Sequence, residues 1–324
     1  MTFTLDELND AVEIVRRVVP PTPQYAWPLL GERVGAEVWV KHENHTPTGA
    51  FKVRGGLIYA DRLVRERPHV CGIISATRGN HGQSLALAGR AAGLAVTIVA
   101  PHGNSPDKNA AMRAFGAELI EHGVDFQEAR EHAGALAVQR GVEMVPSFHP
   151  DLVLGVATYA LELFQAVAGL DAVYVPVGMG SGICALIGVR DLLGLSTEIV
   201  GVVAENAPAT ALSFAAGHVV TTETATTFID GVACRVPDAD AIDTIVRGAA
   251  RIVEVSDDAC ADAIRVLYDT THNLAEPAGA VATAGLLMER GRNAGKRVAT
   301  ILCGGNLDAH LLTQILVGHT PKVS

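Results

Sequence analysis

The side chain whose chemistry stands out is the amine of Lys52, which lies within the segment Thr48–Gly56. The aromatic residue Phe51 precedes this lysine, and the glycine pair Gly55–Gly56 follows it closely. An amine in such a setting can form a Schiff base with an aldehyde cofactor, of which pyridoxal phosphate (PLP) is the common one. A lone lysine is more often a charged surface residue, so this interpretation depends on the other motifs.

A second motif, Ser75–Gln83, follows a predicted strand and opens a predicted helix. Such a turn directs backbone N–H groups and the helix dipole at one point, which suits a carboxylate or a phosphate. Arg78 places a cation where the dipole disfavours it by about 0.3–1 kcal/mol, and an anionic partner would offset that cost. The alternative is an ordinary strand–turn–helix connection in which glycine only permits the turn.

A third motif, Val175–Ile183, carries three glycines after a predicted strand, which is typical of a backbone nest for a phosphate. The string Gly180–Ala185 also fits a dinucleotide fingerprint, with Glu205 at the end of the next strand. A nicotinamide (NAD)-dependent dehydrogenase and a non-catalytic nucleotide-binding protein are therefore alternatives. Against the dehydrogenase, the fingerprint lies mid-chain, and it explains neither Lys52 nor Asn80.

A fourth motif, Cys303–Asn306, follows the last clear predicted strand. Its glycine pair would let the backbone approach a ligand, and Cys303 could face a ring nitrogen as a neutral thiol. Taken alone, a free cysteine is more often a small buried apolar residue.

Short β-branched runs alternate with helical patterns, which predicts parallel sheets in an α/β protein. The predicted strands are Glu37–Val40, Cys71–Ser75, Ala95–Ala100, Ala172–Val177, Ile199–Ala204 and Val298–Leu302. The predicted helices are Gly82–Ala92, Ser105–Phe115, Asp125–Gln139, Thr158–Ala168 and Asp257–Leu267. Helix starts are marked by Ser105 and by Ser256. We expect a small domain of residues 69–149 inserted into a large domain of residues 1–68 and 150–324.

The composition restricts the partners and the compartment. The 324 residues are 49% hydrophobic with a net charge of −10, which argues against nucleic-acid and anionic membrane surfaces. Five cysteines without a CxxC pair indicate a reducing compartment. The N-terminal segment has no signal-peptide pattern, and no apolar run is long enough to span a membrane. We therefore expect a cytoplasmic protein.

Together the four motifs resemble the fold-type II PLP enzymes, namely the serine/threonine dehydratase and serine racemase family, whose fold is like that of the tryptophan synthase β subunit. Ala50–Gly55 is similar to the family's Schiff-base lysine motif, and Arg78–Gln83 to its substrate loop. Gly178–Gly182 matches its phosphate loop, and Cys303–Asn306 its C-terminal Ser-Gly-Gly-Asn. Weaker matches, among them Glu276–Gly279, follow in family order over nearly the whole chain.

The resemblance implies a role for each matching residue. Lys52 would carry the Schiff base and remove the α-proton, Phe51 would pack on the cofactor ring, and Asn80 would bond the ring hydroxyl. Cys303 would stand at the pyridine nitrogen in place of the usual serine. The implied phosphate-binding residues are Gly178, Met179, Gly180, Ser181 and Gly182. The implied substrate-binding residues are Thr77, Arg78, Gly79, Asn80 and His81.

The implied activity is that of an ammonia-lyase, or dehydratase, which eliminates water from a 3-hydroxy amino acid and forms a 2-oxo acid and ammonia. A racemase of the same fold is the alternative. Racemases of the family carry a serine where this chain has Arg78, and guanidinium is a poor base. Arg78 could instead bind an acidic substrate side chain, as in 3-hydroxyaspartate, or form a salt bridge.

Two further expectations follow from the resemblance. The family's metal loop keeps its Glu205 here but lacks an aspartate, so we predict no bound metal. A homodimer is expected, whereas the C-terminal regulatory domain of the biosynthetic threonine dehydratases is not. Outside the motifs, we predict surface or packing roles for His42, His45 and His149, and helix capping by Asp151.

Overall fold

The computed structural model describes residues 3–322 and contains two β-sheets packed against helices. The strands are β1 (Gln24–Ala26), β2 (Glu37–His42), β3 (Gly72–Ala76), β4 (Ala95–Ala100), β5 (Glu118–Glu121), β6 (Glu143–Met144), β7 (Ala172–Pro176), β8 (Glu198–Ala204), β9 (Arg251–Val255) and β10 (Arg297–Leu302). The helices are α1 (Leu5–Arg16), α2 (Pro28–Val34), α3 (Lys52–Glu66), α4 (Asn80–Ala91), α5 (Pro106–Ala114), α6 (Phe126–Arg140), α7 (Pro150–Ala166), α8 (Ser181–Leu192), α9 (Ala209–Ala216), α10 (Ala239–Gly248), α11 (Asp257–Thr271), α12 (Pro277–Met288), α13 (Arg290–Asn293) and α14 (Ala309–Leu316).

The larger sheet has the strand order β1-β2-β10-β7-β8-β9, and the smaller sheet has the order β5-β4-β3-β6. All neighbouring strands are parallel except the edge pair β1–β2. The predicted α/β class with two parallel sheets is therefore confirmed. The strands of the smaller sheet all fall within 69–149, while the domain boundaries themselves stay a prediction.

The four sequence motifs all follow the carboxyl ends of parallel strands. β2 leads towards Lys52, β3 leads into Thr77, β7 leads into Gly178, and β10 leads into Cys303. In the larger sheet β10 lies between β2 and β7, so three of these strand ends are adjacent. In open α/β sheets ligands bind at this edge, and the topology therefore brings the motifs into one region.

The six predicted strands are confirmed to within two residues at each end. The four strands that the sequence did not reveal, β1, β5, β6 and β9, are the four edge strands of the two sheets. Edge strands are short and partly exposed, and they carry charges such as Glu118 and Glu254. Their sequences therefore lack the unbroken apolar run that identifies a strand covered on both faces.

The predicted helices form, and Ser105 and Ser256 cap α5 and α11 as expected. Helix α7, however, begins at Pro150, well before the predicted Thr158. Nearly every residue of its first three turns is buried, so no polar face marks the helix in the sequence. The prediction that Asp151 caps this helix is wrong, because the His149 side chain accepts the cap hydrogen bond from the Asp151 N–H.

Candidate active site

A small cavity lies where the N-termini of three long helices meet. Lys52 begins α3, His81 lies in the first turn of α4, and Ser181 begins α8. The residues that line the cavity are Lys52, Gly55, His81, Ser147, Leu152, Val156 and Ser181. Since each helix N-terminus carries partial positive charge, the cavity suits an anionic ligand group beside the lysine amine.

The surroundings of Lys52 favour the neutral form of its amine. Burial lowers the pKa of Lys52 below its usual value, and the charge of Glu276 opposes that shift only in part. The first turn of a helix also disfavours an ammonium group. The Lys52 Nζ lies 5.1 Å from the centre of the Phe51 ring, which packs edge-on against Tyr159 at 6.2 Å. A neutral amine is the form that can attack an aldehyde.

His81 offers an unsatisfied nitrogen on the wall of the same cavity. The side chain is buried, and its Nε2 has no hydrogen-bond partner among residues 3–322. Burial, reinforced by the charge of Lys52, lowers the pKa of His81 to about 3, so the ring is neutral. Buried polar atoms are nearly always hydrogen-bonded, and a ligand in the cavity would supply the missing partner.

The turn between β7 and α8, which the sequence predicts to bind a phosphate, depends on glycine at two positions. Gly180 caps α8 with φ of 102°, a conformation that side chains rarely adopt. A Cβ on Gly178 would lie 2.4 Å from the Gly231 carbonyl oxygen, so the two backbones are in close contact. Met179 stands between these glycines, with its Sδ 3.6 Å from the Cys234 Sγ. The amine, the unsatisfied imidazole and the helix N-termini together fit PLP.

Cys303 is buried directly after β10, and its thiol donates to the Ala278 carbonyl at 3.3 Å. Burial, with the charge of Glu276, raises the pKa of the Cys303 thiol far above its usual value. The thiol is therefore neutral at physiological pH, as its predicted position at a ring nitrogen requires. The Phe51 N–H donates to the Cys303 carbonyl at 2.9 Å, which links this segment to the residue before Lys52.

Asn80 contacts a buried acid to which the sequence motifs assigned no role. The Asn80 Nδ2 donates to the Glu276 Oε1 at 2.5 Å, and the Lys108 Nζ lies 3.9 Å from the other carboxylate oxygen. Burial raises the pKa of Glu276, the charge of Asp230 adds to the rise, and Lys108 opposes it. The sequence match at Glu276–Gly279 indicated that this segment is part of the family pattern. Only the folded structure shows that Glu276 contacts Asn80.

The substrate loop divides into a buried part and an exposed part. Thr77 is buried, and its hydroxyl accepts from the Gly79 N–H at 3.2 Å. Arg78 is exposed, and its guanidinium lies 3.8 Å from Asp230, on the short 3₁₀ helix Asp230–Val232. The salt bridge that the sequence left as one alternative for Arg78 is therefore present. Ser147 is a further cavity residue for which the sequence gave no signal.

A family model described as pyridoxal-phosphate dependent enzyme matches residues 15–304 of the chain. The chain therefore belongs to the PLP-dependent enzymes, and PLP is its cofactor, which confirms the family and the cofactor predicted from the sequence. The dehydrogenase and nucleotide-binding alternatives are set aside, because the fingerprint Gly180–Ala185 lies within the matched range.

Among curated proteins, the L-threonine ammonia-lyase of Thermotoga maritima is 31% identical over 97% of this chain and 78% of its own length. The L-threo-3-hydroxyaspartate ammonia-lyase of Saccharomyces cerevisiae is 31% identical over 97% of both chains. The biosynthetic L-threonine dehydratase of Haemophilus influenzae is 32% identical over 96% of this chain, which spans only 61% of that relative's length.

Among solved structures, the processed form of threonine deaminase isoform 2 from Solanum lycopersicum superimposes with a TM-score of 0.88 at 29% identity. The match covers 97% of this chain and 94% of the deaminase. Sequence and structure thus agree on the fold over almost the full length of the chain.

Proposed function

We propose that this PLP-dependent enzyme is an ammonia-lyase that removes water from a 3-hydroxy amino acid and yields a 2-oxo acid and ammonia. The observation that carries the proposal is the position of the Lys52 amine in a cavity formed by three helix N-termini. Bound PLP supplies an electron sink for the carbanion that forms when Cα loses its proton.

The residues around the cavity divide the work of binding and proton transfer. The Lys52 amine would hold the cofactor at rest and, once freed from it, would accept the Cα proton of the substrate, a role that its lowered pKa supports. The turn Gly178–Gly182 holds the phosphate, and the loop Thr77–His81 receives the substrate carboxylate. The Cys303 thiol would lie at the ring nitrogen, where its single S–H, which donates to the Ala278 carbonyl in the structure, would be a weaker donor than a hydroxyl.

The names of the relatives indicate which substrate side chains to consider. Two of them are named for L-threonine and one for L-threo-3-hydroxyaspartate. Arg78, which is exposed in the loop before α4, offers a guanidinium for an acidic substrate side chain, and Asp230 is its partner in the structure. Racemisation fits less well, because the same guanidinium is a poor second base.

A substrate panel tests both the reaction and the role of Arg78. L-serine, L-threonine, L-threo-3-hydroxyaspartate and L-threo-phenylserine are assayed for 2-oxo acid with the wild type, Lys52→Ala, Arg78→Ala and the control Arg113→Ala. Arg113 pairs with Glu121 on the surface of the smaller sheet. We expect 2-oxo acid from the wild type and none from Lys52→Ala. Release of D-serine faster than 2-oxo acid from L-serine would contradict the dehydratase assignment.

In the same panel, Arg78→Ala should weaken the binding of L-threo-3-hydroxyaspartate, measured as an increase in KM, more than the binding of threonine or serine. A loss equal for all substrates would exclude contact between Arg78 and the side chain. Arg113→Ala should leave the KM for every substrate unchanged, because its ion pair lies on the protein surface outside the candidate site.

We also propose a homodimer in a reducing cytoplasm. All five cysteines are free, and four of them are buried, which supports a reducing compartment. No helix within residues 3–322 combines the length and the apolar character that a membrane crossing requires. Light scattering of the purified holoenzyme tests the dimer, and a monomer mass at micromolar concentration would contradict it.

A further inference from the structure

Asn306 connects Asn80 to the backbone just before Lys52. Its side-chain nitrogen, Nδ2, donates to the Thr48 carbonyl at 2.8 Å and to the Asn80 Oδ1 at 2.8 Å. Asn80 in turn donates through its own Nδ2 to Glu276. The four residues form one chain of hydrogen bonds that joins the loop before α3, the segment after β10, the start of α4 and the residue before α12.

The chemistry of the groups fixes the direction of this chain. A backbone carbonyl can only accept, so the nitrogen of the Asn306 amide has to face Thr48. The same nitrogen faces Asn80, which must therefore present its oxygen to Asn306. The Asn80 nitrogen then points to Glu276, whose carboxyl group offers an acceptor oxygen in either protonation state. The orientation of the Asn80 amide is thus set at both ends.

We propose that Asn306 and Glu276 are positioning residues, which hold the Asn80 amide so that an N–H, and not the carbonyl, faces the ring hydroxyl oxygen of PLP. The inference rests on the proposed function, and it takes the placement of Asn80 beside that hydroxyl from the family resemblance. An amide nitrogen has two hydrogens, and Glu276 occupies one of them. The other is available to the cofactor.

Backbone contacts hold the segment that contains Asn306 against the segment that precedes Lys52. The Gly305 N–H donates to the Gly49 carbonyl at 2.9 Å, and Ala50 and Gly304 form an isolated antiparallel bridge. Both contacts lie within four residues of Lys52 in the chain. A change at Asn306 is therefore expected to act at the cofactor ring, through Asn80, without removing the lysine from the cavity.

A double-mutant cycle on PLP affinity tests the proposal. The dissociation constant of PLP is measured for the wild type, Asn80→Ala, Asn306→Ala and the double variant by titration of PLP into the PLP-free protein. We expect Asn306→Ala to weaken binding about tenfold, the effect of one net hydrogen bond. In the Asn80→Ala background, Asn306→Ala should change the dissociation constant of PLP less than about twofold, because Asn306 then has no Asn80 amide to orient.

Two matched variants separate positioning from a general disturbance of the fold. Glu276→Gln keeps an acceptor for Asn80 and should bind PLP within about threefold of wild type, whereas Glu276→Ala should lose about tenfold. Asn44 is the control, because it also lies against the Gly305 segment, with its Cβ 3.4 Å from the position that a Cβ on Gly305 would take. Its side chain donates to Asn273 and Leu274 and not to Asn80. Asn44→Ala should therefore leave PLP affinity unchanged.

The outcomes distinguish this proposal from the proposed function. Equal losses from Asn306→Ala in both backgrounds, or no loss at all, would overturn the positioning role while the wild type still binds PLP and releases 2-oxo acid. Wild-type protein that neither binds PLP nor releases 2-oxo acid would overturn the proposed function itself. Should Asn306→Ala fail to fold, the Glu276→Gln and Glu276→Ala pair decides, and equal losses in that pair would refute the role.

Discussion

Replacement of Arg54 by methionine should destabilise the fold strongly, because this arginine neutralises two buried acids. Arg54 lies two residues after Lys52 in α3 and is fully buried. Its guanidinium contacts both oxygens of Glu43 at 2.8 and 3.0 Å and both oxygens of Glu162 at 2.9 Å. Lys41 contacts the same Glu162 carboxylate at 2.6 Å.

The magnitude follows from the balance of charge in this cluster. Two cations and two carboxylates sum to zero in the folded protein, and Arg54→Met leaves one negative charge without a partner in the interior. Removal of one partner from a buried ion pair costs about 3–5 kcal/mol. The matched change Arg297→Met breaks a half-exposed pair with Glu37 at 2.9 Å, and such pairs contribute only about 0–1 kcal/mol.

Urea unfolding of the PLP-saturated variants measures both values. We expect Arg54→Met to lose several times more free energy of unfolding than Arg297→Met, and the double variant Arg54→Met/Glu43→Gln to recover part of the loss by restoring neutrality. Equal losses from Arg54→Met and Arg297→Met would refute the claim that Arg54 neutralises the cluster.

Three further predictions concern the site itself. Gly178→Ala should weaken PLP binding at least about tenfold, because its Cβ would lie 2.4 Å from the Gly231 carbonyl, whereas Gly134→Ala has open space and should have no effect; equal affinities would contradict phosphate binding by the turn Gly178–Gly182. Cys303→Ser should retain PLP and lose no more than about threefold in kcat, since a hydroxyl is at least as good a donor as the buried thiol; loss of PLP would show that sulfur is required. The rate of PLP attachment to Lys52 should rise with pH, since only the neutral amine attacks, with a midpoint below the usual 10.5 because burial lowers the pKa of Lys52; a midpoint at or above 10.5 would contradict that environment.

The parts of the site that could be predicted from the sequence are local. In the segments around Lys52, Asn80 and Gly178–Gly182, the turn and the helix start are contiguous in the sequence. Their local backbone structure could therefore be predicted from the sequence. The buried central strands were equally visible as apolar runs. The start of α7 was not, because a helix that is apolar on all sides has no periodic signal.

The parts that could not be predicted are contacts between distant segments. Glu276 and Asn306 each lie in a motif, but nothing in those motifs shows that both side chains meet Asn80. The cluster of Arg54 with Glu43 and Glu162 likewise joins three separate elements, and in the sequence its charges look like solvent-exposed ones. Pairing of this kind depends on the packing of α3 against α7.

The central claim is that Lys52 holds the cofactor. Borohydride reduction of the holoenzyme, followed by peptide mass mapping, identifies the lysine that carries the PLP mass among Lys41, Lys52, Lys108, Lys296 and Lys322. The structure predicts modification of the peptide that contains Lys52, since Lys41 is buried in an ion pair with Glu162. A PLP mass on any other lysine, or an unmodified Lys52 in protein that retains PLP, would contradict the account.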